Sequence, residues 1–206
     1  MKGDASMGGG HEKTDDDLVA ESKKGDERAF AELVKRHREK AVELAYLAVG
    51  NYEDARDLSQ EAFVKVYHSL KRFEMRAKFS TWFYRILMNT AKDFLRKKQW
   101  KQFLTWKTHE EMEDFFEKVH QPGVSPVKDL MREELQHQMT GALVKLPLKQ
   151  RWIFTLRFLE GLSIREIGEA TNLSEGTVKA ALHFGIQKFK NHIAPYVKEG
   201  GFSHGF

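Results

Sequence analysis

The sequence predicts an all-α protein, built from two small helical domains that are joined by an acidic linker. Apolar residues recur at the three-and-four spacing of amphipathic helices along most of the 206 residues. The alternating patterns of strands and the Asn-Gly or Asp-Gly signals of hairpin turns are absent. Between about residues 100 and 125 the periodicity fades, and Pro122, Gly123 and Pro126 make a helix improbable there.

Four helices are predicted in the first domain. The first begins near Asp15 with an acidic first turn and stops at Gly25, and the second ends at Gly50. The third covers residues 52–73, and the fourth is "KFSTWFYRILMNTAKDFLRKKQW", residues 78–100. The apolar stripe of the fourth helix consists of Phe79, Phe83, Ile86, Leu87, Thr90 and Phe94.

The second domain is predicted to begin with a helix that has Ser125 as its N-cap and Pro126 in its first turn. Pro147 ends or kinks that helix. Three further helices are predicted, within residues 148–161, 163–171 and 174–193. The resulting boundaries are a disordered tail at 1–13, domains at 14–100 and 126–196, a linker at 101–125 and a second tail at 197–206.

Composition excludes several classes of protein. The chain has no cysteine, which excludes disulfides, thiolate nucleophiles and cysteine-ligated metal, and fits a reducing compartment. No segment approaches the roughly 20 apolar residues of a membrane-spanning helix. The start, "MKGDASMGGGHEKTDDD", lacks the apolar segment of a secretion signal. We therefore expect a cytoplasmic protein without membrane insertion.

The net charge of +4 conceals two blocks of opposite sign. Residues 65–107 carry 12 Lys and Arg against 2 Asp and Glu, whereas residues 108–121 carry 1 against 5. A polyanion-binding surface with an acidic neighbour gives this pattern, and so does a solvated basic face. Charge alone does not choose between these two interpretations.

The fourth helix has a second face, separate from its apolar stripe. Intervals of three and four residues place five polar or aromatic side chains on it, namely Trp82, Arg85, Asn89, Lys92 and Arg96. An aromatic ring among cations is a combination that binds single-stranded nucleic acid, because unpaired bases stack on the ring while cations contact phosphates. The alternative is that Trp82 lies at the rim of the core and the cations are solvated.

Residues 161–189 have the spacing of a helix-turn-helix. Ser163 would cap the first helix, Gly168 is the small residue where the second helix crosses it, and Asn172 suits a turn with positive φ. The core positions of the second helix are Val178 and Leu182. Its first exposed residues, which such a motif presents to the major groove, are Glu175, Gly176, Thr177, Lys179, Ala180 and His183. An ordinary helical hairpin without nucleic acid is the alternative.

These motifs, in this order, resemble the extracytoplasmic-function (group IV) sigma factors of the sigma-70 family, over about residues 15–193. "DARDLSQEAFVKVY" resembles that family's D-A-x-D-L-x-Q-E-x-F helix, and "FSTWFYRILMNTAKDFLRKK" resembles its F-x-T-W-L-Y-R-I-A-x-N helix. The C-terminal stretch resembles its helix-turn-helix domain. The resemblance implies a sigma factor, with sigma2-like and sigma4-like domains, that binds core RNA polymerase and directs promoter recognition, DNA melting and transcription initiation.

The resemblance also assigns residues to three surfaces. The residues implied to bind core polymerase are Asp54, Asp57, Leu58, Gln60 and Glu61. Those implied to bind the −10 element are Arg76, Ala77, Lys78, Phe79, Ser80, Trp82, Arg85, Asn89 and Lys92. Those implied to bind the −35 element are Glu175, Gly176, Thr177, Lys179 and His183.

The partners that the resemblance implies are core RNA polymerase, through its β′ clamp helices and β flap, promoter DNA and an anti-sigma factor. No cofactor, metal or catalytic residue is expected. The acidic linker is implied to thread through the polymerase cleft and RNA exit path, where a negative segment stands in for RNA. A solvated spacer is the alternative.

One departure from the family pattern concerns the recognition helix. The family often carries several arginines after its T-V-K sequence, whereas here the residues after Lys179 are Ala180, Ala181, Leu182, His183, Phe184, Gly185 and Ile186. Either Lys179, His183, Lys188 and Lys190 suffice for DNA, or DNA binding is weak and relies on polymerase. Phe184 and Ile186 are candidates for an apolar patch that contacts an anti-sigma factor.

Two competing functions remain open at this level. A helix-turn-helix regulator that binds duplex DNA as a dimer, without being a polymerase subunit, would explain the C-terminal domain and leave the "DARDLSQEAF" motif and the Trp82 face unused. A metal-dependent or acid–base enzyme is disfavoured, because no H-E-x-x-H, paired-ligand or Gly-rich phosphate motif occurs among the nine histidines and many carboxylates.

Overall fold

The computed structural model describes residues 13–105 and 138–199, with side chains for residues 13–98 and 138–195. Regular structure within these ranges is helical, without a strand, as the sequence predicts. The helices are α1 Asp15–Lys23, α2 Glu27–Val49, α3 Tyr52–Ser69, α4 Phe79–Thr105, α5 at 138–144, α6 Leu148–Phe158, α7 Ile164–Thr171 and α8 Glu175–Glu199, with a 3₁₀ turn at Leu70–Arg72.

The first three helices begin at side-chain caps that the local sequence provides. Thr14 and Asp17 form a reciprocal capping box at the start of α1. Asp26 and Asn51 accept backbone hydrogen bonds at the starts of α2 and α3. Gly50 ends α2 with φ of 72°, a left-handed conformation that glycine adopts without strain. These side chains fix where the three helices begin.

The core of the first domain surrounds the apolar stripe of α4. Phe79, Phe83 and Leu87 are fully buried in it, together with side chains of α2 and α3 such as Leu33 and Leu58. The Phe83 ring stacks on Phe79 and on Phe63, with ring centroids 6.1 and 4.7 Å apart. Helices α1, α2 and α3 all contact α4, so α4 is the central element of this domain.

The two domains contact each other. Helix α4 lies against α7, and α2 lies against α6. Buried side chains of both domains belong to one apolar cluster, which includes Leu44 from α2 and Trp152, Leu156 and Ile167 from the second domain. Leu44 and Leu47 of α2 also lie next to Trp152 and Thr155 of α6.

Two helices extend beyond the predicted domain boundaries. Helix α4 continues to Thr105, past the predicted start of the linker at 101, because no glycine or proline interrupts residues 79–105. Helix α8 continues to Glu199 and contains Pro195. A proline near a helix end removes few backbone hydrogen bonds, so the helix persists through it.

Several predictions concern residues outside the described part of the chain. The acidic segment 108–121, the Ser125 cap and the first tail up to residue 12 are among them. The predicted helix that precedes Pro147 is described only at 138–144, where it is helical.

Gly168 has a different structural role from the predicted one. A Cβ atom at this position would lie 2.9 Å from the backbone oxygen of Leu173, in the turn between α7 and α8. The turn, and not the crossing of the second helix, therefore requires a residue without a side chain here. The N–H of Leu173 also donates to the carbonyl of Gly168, at 3.1 Å.

We expect Gly168→Val to lower the free energy of unfolding by roughly 1–3 kcal/mol more than Gly141→Val does, because only the former collides with backbone. Gly141 lies in α5, where an added Cβ atom would meet nothing within 4 Å, so both variants share the helix propensity of valine. Urea unfolding followed by circular dichroism measures the difference. Equal destabilisation would contradict the steric role of Gly168.

Candidate nucleic-acid and partner interfaces

Helix α3 presents a polar, mainly acidic face to solvent. Asp57, Gln60 and Glu61 are exposed on it. Asp54, one turn earlier, is half-buried and forms an ion pair with Lys98 of α4 at 2.8 Å. Glu61 forms an ion pair with Lys65 along the same helix, also at 2.8 Å. Four of the five residues predicted for polymerase binding therefore have side chains at the surface.

Leu58 is the exception on α3. Its side chain is 1% exposed and belongs to the core of the first domain. The prediction that it contacts polymerase is corrected accordingly: Leu58 anchors the helix from within, on the buried face that it shares with Ala55 and Ala62.

The side chains of α4 are distributed over the two predicted faces of the helix. Arg85, Asn89 and Lys92 are exposed, one turn apart from each other. Phe79, which the resemblance assigns to the −10 surface, is 1% exposed and lies in the core. Phe79 is therefore not available for direct contact with DNA, whereas the exposed side chains are.

The Trp82 ring is held by a neighbour that the sequence pattern did not single out. Its centroid lies 4.5 Å from that of Phe73, with an interplanar angle of 17°. This stacking covers one face of the indole and fixes its orientation, while the side chain remains partly exposed. Phe73 is a core residue at the end of the 3₁₀ turn, and its only sequence signal is an apolar residue just before a polar loop.

The loop between the 3₁₀ turn and α4 is polar and exposed. Met75 adopts φ of 56°, which is uncommon for a residue other than glycine. Arg76 forms an exposed ion pair with Glu74 at 2.8 Å. On the inner side of the loop, Nζ of Lys23 donates to the carbonyl of Phe73 at 2.8 Å, which ties the loop to α1.

The helix-turn-helix is formed by α7 and α8. Ser163 and Glu166 make a capping box at the start of α7, as the predicted cap requires. Asn172 ends α7 with φ of 57°, the predicted left-handed turn residue. Val178 and Leu182 are buried. The residues predicted to face the major groove lie at the surface. Thr177 is half-buried, and the others are exposed, namely Glu175, Gly176, Lys179, Ala180 and His183.

The exposed side of α8 combines polar and apolar groups. Nε2 of His183 is 3.0 Å from the side-chain amide nitrogen of Gln187, and the His183 ring contacts Phe184 edge-on at 5.6 Å. Phe184 is 54% exposed. Phe154 and Phe189 form another aromatic contact between α6 and α8, with centroids 4.9 Å apart.

The carboxyl of Glu166 is the acidic group most strongly perturbed at these surfaces. The backbone N–H of Ser163 donates to it, and Lys78 and the Ser163 hydroxyl also stabilise its charged form, which together lower its pKa to about 2. Glu166 therefore carries a full negative charge at neutral pH, 2.9 Å from Nζ of Lys78. This ion pair joins the loop before α4 to the first helix of the helix-turn-helix.

Neither a metal site nor a membrane-spanning helix is found among the described residues. No group of three or more His, Asp or Glu side chains there could hold a metal ion. No helix in the same ranges is both long and apolar enough to span a membrane.

Two family models match the chain, one for each domain. The model for Sigma-70 region 2 matches residues 33–101, and the model for Sigma-70, region 4 matches residues 136–189. The first match contains the exposed faces of α3 and α4, and the second contains the helix-turn-helix. The fold and both surfaces thus define a sigma-70 protein with a region 2 and a region 4 domain.

Comparison with known proteins shows to which group of the sigma-70 family the chain belongs. The chain is 34% identical to the ECF RNA polymerase sigma factor SigW of Bacillus subtilis, over 85% of this chain and 94% of that protein. It is also 34% identical to the ECF RNA polymerase sigma-E factor of Escherichia coli K12, over 90% of this chain and 97% of that protein. The chain belongs to the extracytoplasmic-function group of the sigma-70 family and is an RNA polymerase sigma factor.

The solved structures agree on the fold. The sigma factor RpoE of Bartonella quintana, solved with the anti-sigma factor NepR, superposes with a TM-score of 0.63 at 19% identity, over 80% of this chain and 96% of that one. The alternative of a duplex-DNA regulator that is not a polymerase subunit is not favoured, because it would leave the matched region 2 without a role.

We expect acid to destabilise the wild-type protein more steeply than Glu166→Gln. Because the pKa of Glu166 is lowered in the folded state, its charged form stabilises the fold fully above its ordinary pKa of 4.5, and this contribution is lost as pH falls towards about 2. Glutamine keeps the capping geometry but cannot ionise. Urea unfolding between about pH 6 and about pH 3 measures both curves, and parallel curves would show that Glu166 contributes nothing to the pH dependence.

Proposed function

We propose that the first domain, residues 14–100, binds core polymerase through α3 and the −10 element through α4, while the second, residues 126–196, binds the −35 element. The observation that carries this proposal is the charge of two exposed faces: α3 presents Asp57 and Glu61, whereas α4 presents Arg85 and Lys92. A protein partner and a nucleic acid can therefore be engaged by neighbouring helices of one small domain.

The polymerase contact is proposed to lie on the clamp helices of β′. Asp54, Asp57, Gln60 and Glu61 offer carboxylate and amide oxygens on one face of α3, which suits a basic partner surface. Leu58 acts indirectly, by anchoring α3 in the core. The flap of β is proposed as a second contact, for the region 4 domain.

The −10 contact is proposed to be with an unpaired strand. Lys78, Arg85 and Lys92 supply cations for phosphates, Asn89 supplies hydrogen bonds for a base edge, and Trp82 supplies a ring that Phe73 already holds in place. The loop residues Arg76 and Ala77, together with Ser80 in the first turn of α4, complete the surface. Binding of flipped bases offsets the few kcal/mol that unstacking costs, so opening of the DNA needs no chemical energy source.

The −35 contact is proposed to involve the exposed start of α8, from Glu175 to Lys179, together with His183. Lys179 is the only cation in that stretch and forms a 3.8 Å ion pair with Glu175. With so few cations, the domain is proposed to bind duplex DNA weakly by itself and to depend on polymerase for its position.

The remaining proposals concern a regulatory partner, the cellular location and the need for a cofactor or catalysis. An anti-sigma factor is proposed as a regulatory partner, supported by the solved sigma–anti-sigma complex that shares this fold and by the exposed Phe184. The protein is proposed to act in the cytoplasm, to use no cofactor, and to have no enzymatic activity of its own.

We expect Asp57→Arg to weaken binding to bacterial core RNA polymerase at least tenfold, because like charges across an interface cost several kcal/mol. Gln60→Ala is expected to weaken it less. Glu39→Arg makes a comparable charge change at an exposed position of α2 and serves as the control. Fluorescence anisotropy of the labelled chain with purified core enzyme measures all three, and an unaffected Asp57→Arg would remove α3 from the interface.

We expect binding to single-stranded −10 DNA to weaken steeply with salt, and the double variant Arg85→Ala/Lys92→Ala to reduce the slope of log K against log salt by roughly 1.4, at about 0.7 per phosphate contact. Lys24→Ala/Lys35→Ala removes two exposed cations, one just after α1 and one in α2, and is the matched control. Filter binding of the holoenzyme to a single-stranded −10 oligonucleotide at several salt concentrations gives the slopes. Equal slopes for both double variants would place the phosphate contacts elsewhere.

A further inference from the structure

The face of α3 that is proposed to bind polymerase has an edge beside α4. Asp54, Glu61 and Lys65 lie on this edge, at intervals of seven and four residues, which are close to two turns and one turn of a helix. Helices α3 and α4 pack against each other. Charged side chains of the proposed polymerase face are therefore within reach of α4.

The first contact across this edge is an ion pair near the start of α3. Nζ of Lys98 on α4 donates to Oδ2 of Asp54 at 2.8 Å. The same ammonium lies 5.7 Å from the centroid of the Phe94 ring, and the face of an aromatic ring attracts a cation. The backbone N–H of Asp54 donates to the side chain of Asn51, the N-cap of α3. Each partner of the ion pair is thus also held by a residue of its own helix.

The second contact lies about three turns further along α3. Nζ of Lys65 is 2.8 Å from Oε1 of Glu61 and donates to Oγ1 of Thr90 on α4 at 3.1 Å. Thr90 is 1% exposed, and its hydroxyl donates to the carbonyl of Ile86, so its oxygen is the acceptor towards Lys65. Lys65 therefore connects a carboxylate of the proposed polymerase face with the buried side of α4.

Both carboxylates remain accessible beside their lysines. The short contacts are made to one oxygen of each carboxylate, Oδ2 of Asp54 and Oε1 of Glu61, and an ionised carboxylate can accept about four hydrogen bonds. The side chain of Asp54 is 30% exposed and that of Glu61 is 49% exposed. A cation of a partner can therefore approach these carboxylates without displacing Lys98 or Lys65.

The value of these contacts lies in binding more than in folding. Ion pairs between partly exposed side chains contribute little to stability, because solvent screens them and both side chains lose conformational freedom. A carboxylate that is already ordered in the free chain does not have to be ordered when a partner binds. The two lysines therefore lower the entropic cost of binding at Asp54 and Glu61.

We propose that Lys98 and Lys65 are positioning residues for core polymerase, which hold Asp54 and Glu61 in fixed orientations beside α4 and leave both carboxylates accessible to a basic partner surface. This inference deepens the proposed function and rests on it. The same lysines tie α3 to α4, so they also fix the polymerase face relative to the exposed side chains of α4 that are proposed to bind DNA.

The direction of the change in polymerase affinity tests this proposal. Lys98→Met and Lys65→Met keep a long aliphatic side chain and remove the ammonium. We expect each variant to weaken binding of the full chain to bacterial core RNA polymerase roughly two- to tenfold, the effect of one more side chain that must be ordered on binding. Charge alone predicts the opposite, because loss of a cation beside an acidic face strengthens its attraction to a basic partner. Fluorescence anisotropy of the labelled chain with purified core enzyme measures the affinities.

Two further variants make the result specific. Lys97→Met removes an exposed cation one position away on α4 and should leave the affinity unchanged or raise it slightly through charge alone. Lys98→Arg keeps a cation that can donate to Asp54 and should retain most of the wild-type affinity. Urea unfolding followed by circular dichroism should give nearly wild-type stability for every variant, as expected for partly exposed ion pairs.

The outcomes separate this proposal from the proposed function. Unchanged or tighter binding of both Lys98→Met and Lys65→Met, in a series in which Asp57→Arg weakens binding, would refute the positioning role and leave the polymerase face of α3 in place. An equal loss of affinity in Lys97→Met, or in Lys98→Arg, would also refute it. If Asp57→Arg binds as tightly as the wild type, the proposed polymerase face is wrong and the positioning role falls with it.

Discussion

The burial of one side of α4 is the constraint on which the rest of this structure depends. Helix α4 contacts every helix of the first domain and also α7 of the second. Aromatic rings dominate the buried side, where Phe79 and Phe83 bring large apolar area and little conformational freedom. Because that side is anchored, Arg85, Asn89 and Lys92 project from a rigid helix, and their relative positions are set before any nucleic acid arrives.

Preorganisation extends to the ring of Trp82. Its stacking on Phe73 restricts the indole when the protein folds. Binding of a base to the remaining face would therefore cost little further conformational entropy of the Trp82 side chain. The backbone of Phe73 is fixed in turn, since Nζ of Lys23 donates a hydrogen bond to its carbonyl. The conformational entropy that is lost when the proposed DNA surface becomes ordered is therefore already included in the folding free energy of the sigma2-like domain.

The contacts between the domains combine apolar and polar interactions. Apolar side chains such as Leu44 and Trp152 form one continuous cluster, which water does not replace without cost. Glu160 accepts hydrogen bonds from Tyr84 and Lys40. An interface of this composition is specific in its geometry, because its buried polar groups need matched partners.

The sequence by itself determined the helices, their caps, the turn at Asn172 and the two faces of α4, and its motifs determined the family. These features depend on neighbours within a few residues, so periodicity and capping chemistry suffice to predict them. Tertiary structure alone decided that Phe73 supports Trp82, and that Glu160 meets Tyr84. The last two side chains are 76 positions apart, and no local pattern encodes such a pairing, because it follows from how two separately folded faces pack in space.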